Sequence, residues 1–244
     1  NGYTNGDVLT FDTQNGISGS YYNNTHKLTI SGIASIADYE TALGTIKYRS
    51  TNQDPTISHS SRTLTWTVTD ANSDGLGAAT STGVTSIISI TPATDNPRIH
   101  QVVGGNLDYT ENGDAEILPS SDNNHNHNGN IHIHDDDDIE IDSGILTISS
   151  GFTTGDVLAL TTQNNISGTY DGSTGVLTIS GNASLSNYQT SLRSITYHST
   201  SEDPTINSSS RNITWTVTDA NSDGAGAGTS SDVTSTIIIT PIND

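Results

Sequence analysis

The sequence predicts an all-β protein made of tandem β-sandwich repeats, each carrying one short helical turn. Three observations predict this. The chain repeats itself at a fixed spacing, apolar residues alternate with polar ones over short stretches, and turn residues separate those stretches. Shifting the chain by 149 positions lays residues 1–95 on 150–244 without a gap, and 58 of those 95 positions are identical. Gly6-Asp7-Val8-Leu9 meets Gly155-Asp156-Val157-Leu158, and Thr65-Trp66-Thr67-Val68-Thr69-Asp70 meets Thr214-Trp215-Thr216-Val217-Thr218-Asp219. Residues 96–149 have no second copy. The expected division is therefore a partial repeat over 1–95 and a complete one over 96–244.

Within a repeat, strands are expected at 7–12, 17–21, 27–31, 45–49, 62–69 and 84–91, with counterparts 149 residues on. The segment 62–69 shows the period most clearly. Leu64, Trp66 and Val68 share one face and the threonines the other, which is the signature of a half-buried strand. Ile213, Trp215 and Val217 repeat it, and both tryptophans are read as core residues. Turns are expected at Asn15-Gly16, Asp74-Gly75 and Asp171-Gly172. One segment changes period. Ile36, Tyr39 and Leu43, like Leu185, Tyr188 and Leu192, fall at i, i+3 and i+7, a helical turn with Ser35 or Ser184 as N-cap.

Only 30% of residues are hydrophobic and 5% aromatic, which suits a thin sandwich. The net charge of -20, from 27 acidic and 7 basic residues, argues against nucleic acid or an anionic membrane as partner. Divalent cations are its natural counterions. With no cysteine, disulfides, zinc–thiolate sites and a cysteine nucleophile are ruled out. The longest apolar runs, such as Ile237-Ile238-Ile239, are strand-sized, so no membrane insertion is expected. No nucleophile elbow, phosphate loop or zinc-protease helix occurs, and a non-enzymatic protein is expected.

One series of motifs runs through nearly the whole chain: Tyr109-Thr110-Glu111-Asn112, an Asp cluster, Gly155-Asp156-Val157-Leu158, Gly175-Val176-Leu177-Thr178-Ile179-Ser180-Gly181, Tyr188-Gln189, Tyr197, Asp203-Pro204, Arg211 and Val217-Thr218-Asp219. This order resembles the cadherin-like, immunoglobulin-like repeats of giant bacterial surface adhesins, of the kind found beside calcium-binding RTX and VCBS repeats. The resemblance implies tandem β-sandwich domains on a bacterial cell surface. It also implies a calcium-stiffened spacer or adhesive module. The insertion at 123–134, rich in Asn and His, departs from the pattern.

Four groups of residues are candidates for ligands. Asp70, Asn72 and Asp74, repeated as Asp219, Asn221 and Asp223, fit the first half of a D-x-N-x-D-G calcium loop. The position where an EF-hand carries Glu is Ser81 or Ser230, so the remaining ligands must come from elsewhere, and a plain Asx-rich turn is the alternative. Asp95 and Asn96 resemble a cadherin-type calcium linker, with Glu111 resembling its partner acid; Asn243-Asp244 would begin the next linker. In the run Asp135–Asp138, Asp135 and Asp137 are candidate calcium ligands, because adjacent carboxylates repel unless solvated or bridged by a cation. His132 and His134 would share one side of an extended strand, within reach of His125 and His127, as a candidate transition-metal pair.

Sequons at Asn23, Asn165, Asn182, Asn207 and Asn212 are candidate glycosylation sites. The leading functional expectation is an extracellular structural or adhesive repeat, a rigid rod or head-to-tail fibre whose partners are neighbouring repeats, identical subunits, or a surface or glycan target. The competing expectation is a carbohydrate-binding or accessory module, to be distinguished by the exposure of Tyr21, Tyr22 and Tyr170. Residues 109–149, including Ile145, Thr147 and the run to Ile148, are expected to supply opening strands that residues 1–95 lack, so an upstream segment or a neighbouring molecule would complete that half.

Overall fold

The computed structural model describes residues 1–100, 106–118 and 131–243. The protein is all-β, with two short helices, and divides into two compact units, Asn1–Pro92 and Ala93–Asp244.

Unit 2 holds β7 (Arg98–His100), β8 (Asn106–Thr110), β9 (Glu116–Ile117), β10 (His132–His134), β11 (Glu140–Ser150), β12 (Asp156–Ala159), β13 (Ser167–Asp171), β14 (Val176–Ser184), α2 (Leu185–Leu192), β15 (Thr196–Ser199), β16 (Ser210–Asp219) and β17 (Val233–Thr240). Six strands form one sheet in the order β13-β14-β11-β16-β17-β8, and β12-β15-β9 form a three-stranded sheet. All neighbours are antiparallel except β17 and β8, which run parallel. Both sheets are apolar on one face. Leu146, Leu177, Ile213, Trp215 and Val217 from the larger and Leu158 and Tyr197 from the smaller share one core, which makes the unit a β-sandwich.

The alternation read from the sequence carries this core. Along β16, Arg211, Ile213, Trp215, Val217 and Asp219 are buried and the residues between them are not. Along β11 the burial alternates as well. Leu146 and Ile148 face the core at 1% and 4% exposure, while Ile145 is 47% exposed. The cause is register: Leu146 lies opposite Leu177 on one side and Trp215 on the other, so Ile145 must point outward. A bulge between Ile141 and Ser143 then restores Ile141 to the inside.

Unit 1 holds β1 (Asp7–Thr10), β2 (Ser18–Tyr22), β3 (Lys27–Ser31), α1 (Ile36–Leu43), β4 (Lys47–Ser50), β5 (Ser61–Trp66) and β6 (Val84–Ser89). Among the described residues these strands pair only in twos: β1 with β4, β2 with β3, β5 with β6. The chain enters β2 through a two-residue turn. Asn15 and Gly16 have φ of 48° and 76°, and Gln14 and Ile17 exchange amide-to-carbonyl bonds of 3.0 and 2.7 Å. In the second copy Asn165 takes the glycine's place at φ 65°, since Asn tolerates the left-handed region.

Both helices begin where the serines predict. The Ser35 hydroxyl accepts from the Asp38 amide at 3.1 Å and the Asp38 carboxylate accepts from the Ser35 amide at 3.3 Å, closing a capping box. In α2 the Ser184 hydroxyl accepts from the Asn187 amide at 3.3 Å.

Candidate metal centre

Between β10 and β11 the chain must place four consecutive aspartates, and their geometry separates them. The Asp135 Oδ1 accepts from the amides of Asp137 at 3.2 Å and Asp138 at 3.1 Å, folding the run into a turn. Asp136 is turned away, where it meets the Arg98 guanidinium and, at 2.9 Å, His134 Nε2. Asp135, Asp137 and Asp138 turn inward and are only 8%, 8% and 2% exposed.

Each of these three carboxylates keeps a buried oxygen without a hydrogen-bond partner: Asp135 Oδ2, Asp137 Oδ1 and Asp138 Oδ2. One oxygen from each lies within 4.8 Å of the others. The remaining oxygens are held by surrounding chain. Asp137 Oδ2 accepts from the Asp95 amide at 2.7 Å, and Asp138 Oδ1 accepts from the Ser222 amide and hydroxyl and from the Asp223 amide. Burial, with the bond to Asp135, pushes the Asp137 carboxyl up to about 6, against the opposing pull of the Asp95 amide. Asp219 is also raised, first by burial, while the amides of Asn221 and Gly228 oppose the rise and the charges of Asp138 and Asp137 add to it. Four acids thus share one field, and a buried cluster of carboxylate oxygens of this kind suits a hard divalent cation.

Asn96 stands beside this group. A Cβ at Gly228 would meet Asn96 Oδ1 at 2.5 Å and Asp219 Oδ2 at 3.0 Å, so this glycine lets the linker residue approach the acid. Thr94 is tied to the same loop through the Gly226 carbonyl at 2.9 Å.

The other predicted ligands are placed differently. In the D-x-N-x-D-G loop, Asp219 accepts from Asn221 and Gly228, Asn221 Oδ1 from Gly226 at 2.7 Å, and Asp223 Oδ1 from Ala225 at 2.8 Å. Asp70, Asn72 and Asp74 bond the matching amides of unit 1, on an exposed loop. These oxygens therefore serve the loop's own turn. Glu111 is buried, and its Oε2 accepts from the Ile242 amide at 2.7 Å. It follows Thr110, opposite Thr240, whereas Asp219 ends β16 at the far end of the same sheet, ~30 Å away along the strand. The structure does not bring Glu111 to Asp95.

His132 and His134 flank the buried Ile133 and are both exposed. His132 lies opposite His100, ring centroids 6.3 Å apart, and His134 bonds Asp136. The acid group is the cluster of potential metal ligands among the described residues, and it contains no histidine. His125, His127 and Asp244 lie outside the described residues. Asn23, Asn165, Asn182 and Asn207 are exposed, whereas Asn212 is half-buried and accepts from Thr236 Oγ1 at 3.1 Å. The hydroxyls of Tyr21 and Tyr170 donate to the carbonyls of Asp7 at 3.0 Å and Asp156 at 2.7 Å, which ties both rings down; Tyr22 stands 52% exposed.

Sequence reasoning passed over Asp138, the most buried of the three inward acids. The signal was a run of four with no spacing rule to say which side chains point in. It also passed over the partners of Arg211 and Arg62. Their invariance between the two copies, together with that of Asp156 and Asp7, was the available sign.

No protein-family model matches the chain, and no curated protein does. Solved structures similar to it are cadherin extracellular domains. With domains 3–6 of protocadherin gammaB7, in a cis-dimer structure, identity is 11% and the TM-score 0.33, covering 96% of this chain and 40% of that one. With domains 1–3 of mouse protocadherin-24, identity is 11% and the TM-score 0.30, covering 96% and 59%. With domains 1–3 of mouse clustered PcdhgC3 the values are 12% and 0.29, covering 97% and 55%. The chain thus spans about half the length of these neighbours, and at such scores the likeness carries no conclusion about ligand, partner or origin.

Proposed function

We propose that this chain is an extracellular structural or adhesive repeat that binds calcium through Asp135, Asp137 and Asp138, with Asp219 contributing to the field. The observation that carries the reading is a cluster of three buried carboxylates, one oxygen from each mutually within 4.8 Å, in which each carboxylate also keeps a buried oxygen without a hydrogen-bond partner. Leaving such oxygens together in a low-dielectric pocket is costly, and a cation removes the cost. Calcium fits better than a transition metal because the donors are all oxygens and it accepts about 6–8 of them in flexible geometry.

The mechanical consequence follows from what the acids also hold. Asp137 bonds the amide of Asp95, and Asp138 bonds the loop at Ser222 and Asp223. A cation on their free oxygens would fasten the entering segment and the 219–228 loop to one point, stiffening this end of the unit. That is a useful property for a repeat that transmits force in a surface array.

Thermal melting in calcium and in chelator tests the reading. Unit 2 should melt higher in calcium, and isothermal titration should show binding that Asp138→Asn removes. Equal melting in both conditions, with no heat of binding, would overturn it.

A further inference from the structure

The antiparallel ribbon of β7 and β10 has two faces of different chemistry. Ile99 and Ile133 lie opposite each other and point into the core, at 6% and 2% exposure, which fixes the ribbon to the sandwich. The residues that flank them, Arg98, His100, His132 and His134, are all exposed. Strand alternation therefore gathers one guanidinium and three imidazoles on a single outer face.

Register sorts these four into two pairs: His134 lies opposite Arg98, and His132 opposite His100. Asp136 takes the first pair. Its Oδ2 accepts from the Arg98 guanidinium, and its Oδ1 lies 2.9 Å from His134 Nε2. The second pair consists of two imidazoles that face each other, with ring centroids 6.3 Å apart and ring planes inclined by 38°.

We propose that His100 and His132 form a two-imidazole site for a divalent transition ion of the zinc class. Directly opposed residues on antiparallel strands have Cβ atoms about 4.5–5.5 Å apart, whereas alternate residues along one strand are about 6.6 Å apart. The cross-strand pair is thus set closer than His132 and His134. A tetrahedral zinc with two bonds of about 2.0–2.1 Å holds its nitrogens about 3.4 Å apart. Both rings are exposed, so side-chain rotation can bring one nitrogen of each to that separation while Ile99 and Ile133 hold the backbone in place. Asp136 also matters to the ion, because it neutralises the guanidinium two residues from His100 that would otherwise repel a cation. Nitrogen donors select zinc, nickel or copper over calcium. Two protein ligands leave the remaining positions to water or to a donor from another molecule. The site is separate from the acid group and does not depend on the calcium reading.

The test titrates zinc chloride into the full chain with calcium in excess throughout, followed by calorimetry and by the imidazole resonances in NMR. The His100 and His132 signals should shift together and saturate at one zinc. His100→Ala and His132→Ala should each weaken that binding at least about tenfold, because either one removes the chelate. The double variant should be no weaker than either single one, since the two residues act as a unit. Both side chains are exposed, so neither substitution should disturb folding. Affinity unchanged in His100→Ala would overturn the proposal, as would zinc-dependent shifts confined to other residues. Losses that add in the double variant would also overturn it, because they would mean two independent sites.

Discussion

Arg211 and Asp156 are joined at 2.6 Å, Nε to Oδ2, with both side chains wholly out of solvent. The guanidinium also donates to the carbonyls of Ser208 and Pro204, and the Tyr197 hydroxyl donates to Asp156 at 2.7 Å. Arg62, Asp7 and Tyr48 repeat the arrangement in unit 1. Three strands, β12, β15 and β16, meet at this point, so the pair fixes the smaller sheet against the larger.

Arg211→Met should therefore destabilise unit 2 by about 3–5 kcal/mol, since it leaves the Asp156 carboxylate buried without its partner. Denaturant titration of the variant against the parent chain measures this. Replacing both residues with apolar ones of similar volume should recover much of the loss, because the cost lies in the orphaned charge.

Acid should loosen unit 1. Burial alone would raise Asp7, but the bonds from Arg62, Tyr48 and the Thr4 amide outweigh it and hold its carboxyl below the ordinary 3.8. A folded-state value below the unfolded one means the stabilisation is fully present above about pH 4 and is lost as pH falls through the lower folded value. Melting followed from pH 6 down to pH 2 should show that loss, and Asp7→Asn should flatten it.

The two tryptophans should differ. Trp215 is fully buried and its indole donates to Ser235 at 2.9 Å, so Trp215→Ala should cost about 3–5 kcal/mol. Trp66 makes the matching bond to Ser86 at 2.8 Å but is only half-buried, and Trp66→Ala should cost roughly half as much. Denaturant curves of the two variants decide it, and equal losses would contradict the difference in burial.

Calcium dependence should follow the inward acids. At a calcium concentration 100 times the dissociation constant, stabilisation should be about 2.7 kcal/mol. Asp137→Asn and Asp138→Asn should abolish it. Asp74→Asn should leave it intact, because Asp74 bonds the Leu76 amide on an exposed loop of the other unit. Melting of the three variants with and without calcium separates the outcomes.

The all-β architecture, the helical turns with their serine caps and the doubled pattern were legible in the sequence, because each rests on local rules. Period-two alternation and an N-cap hydroxyl act over a few residues and are written out twice, 149 positions apart, and the turn at Asn15-Gly16 recurs with Asn165 in place of the glycine. What tertiary structure alone decided depends on strands distant in sequence. Leu146 rather than Ile145 faces the core because β11 takes its register from β14 and β16 together. Asp138 joins Asp135 and Asp137 because the Asp135 carboxylate binds two amides ahead of it and turns Asp136 outward, a choice that four identical letters do not encode. Trp66 and Trp215 lie in the same Thr-Trp-Thr-Val-Thr-Asp run yet differ in burial, because burial depends on what lies across the sheet, and among the described residues β11 stands beside only Trp215.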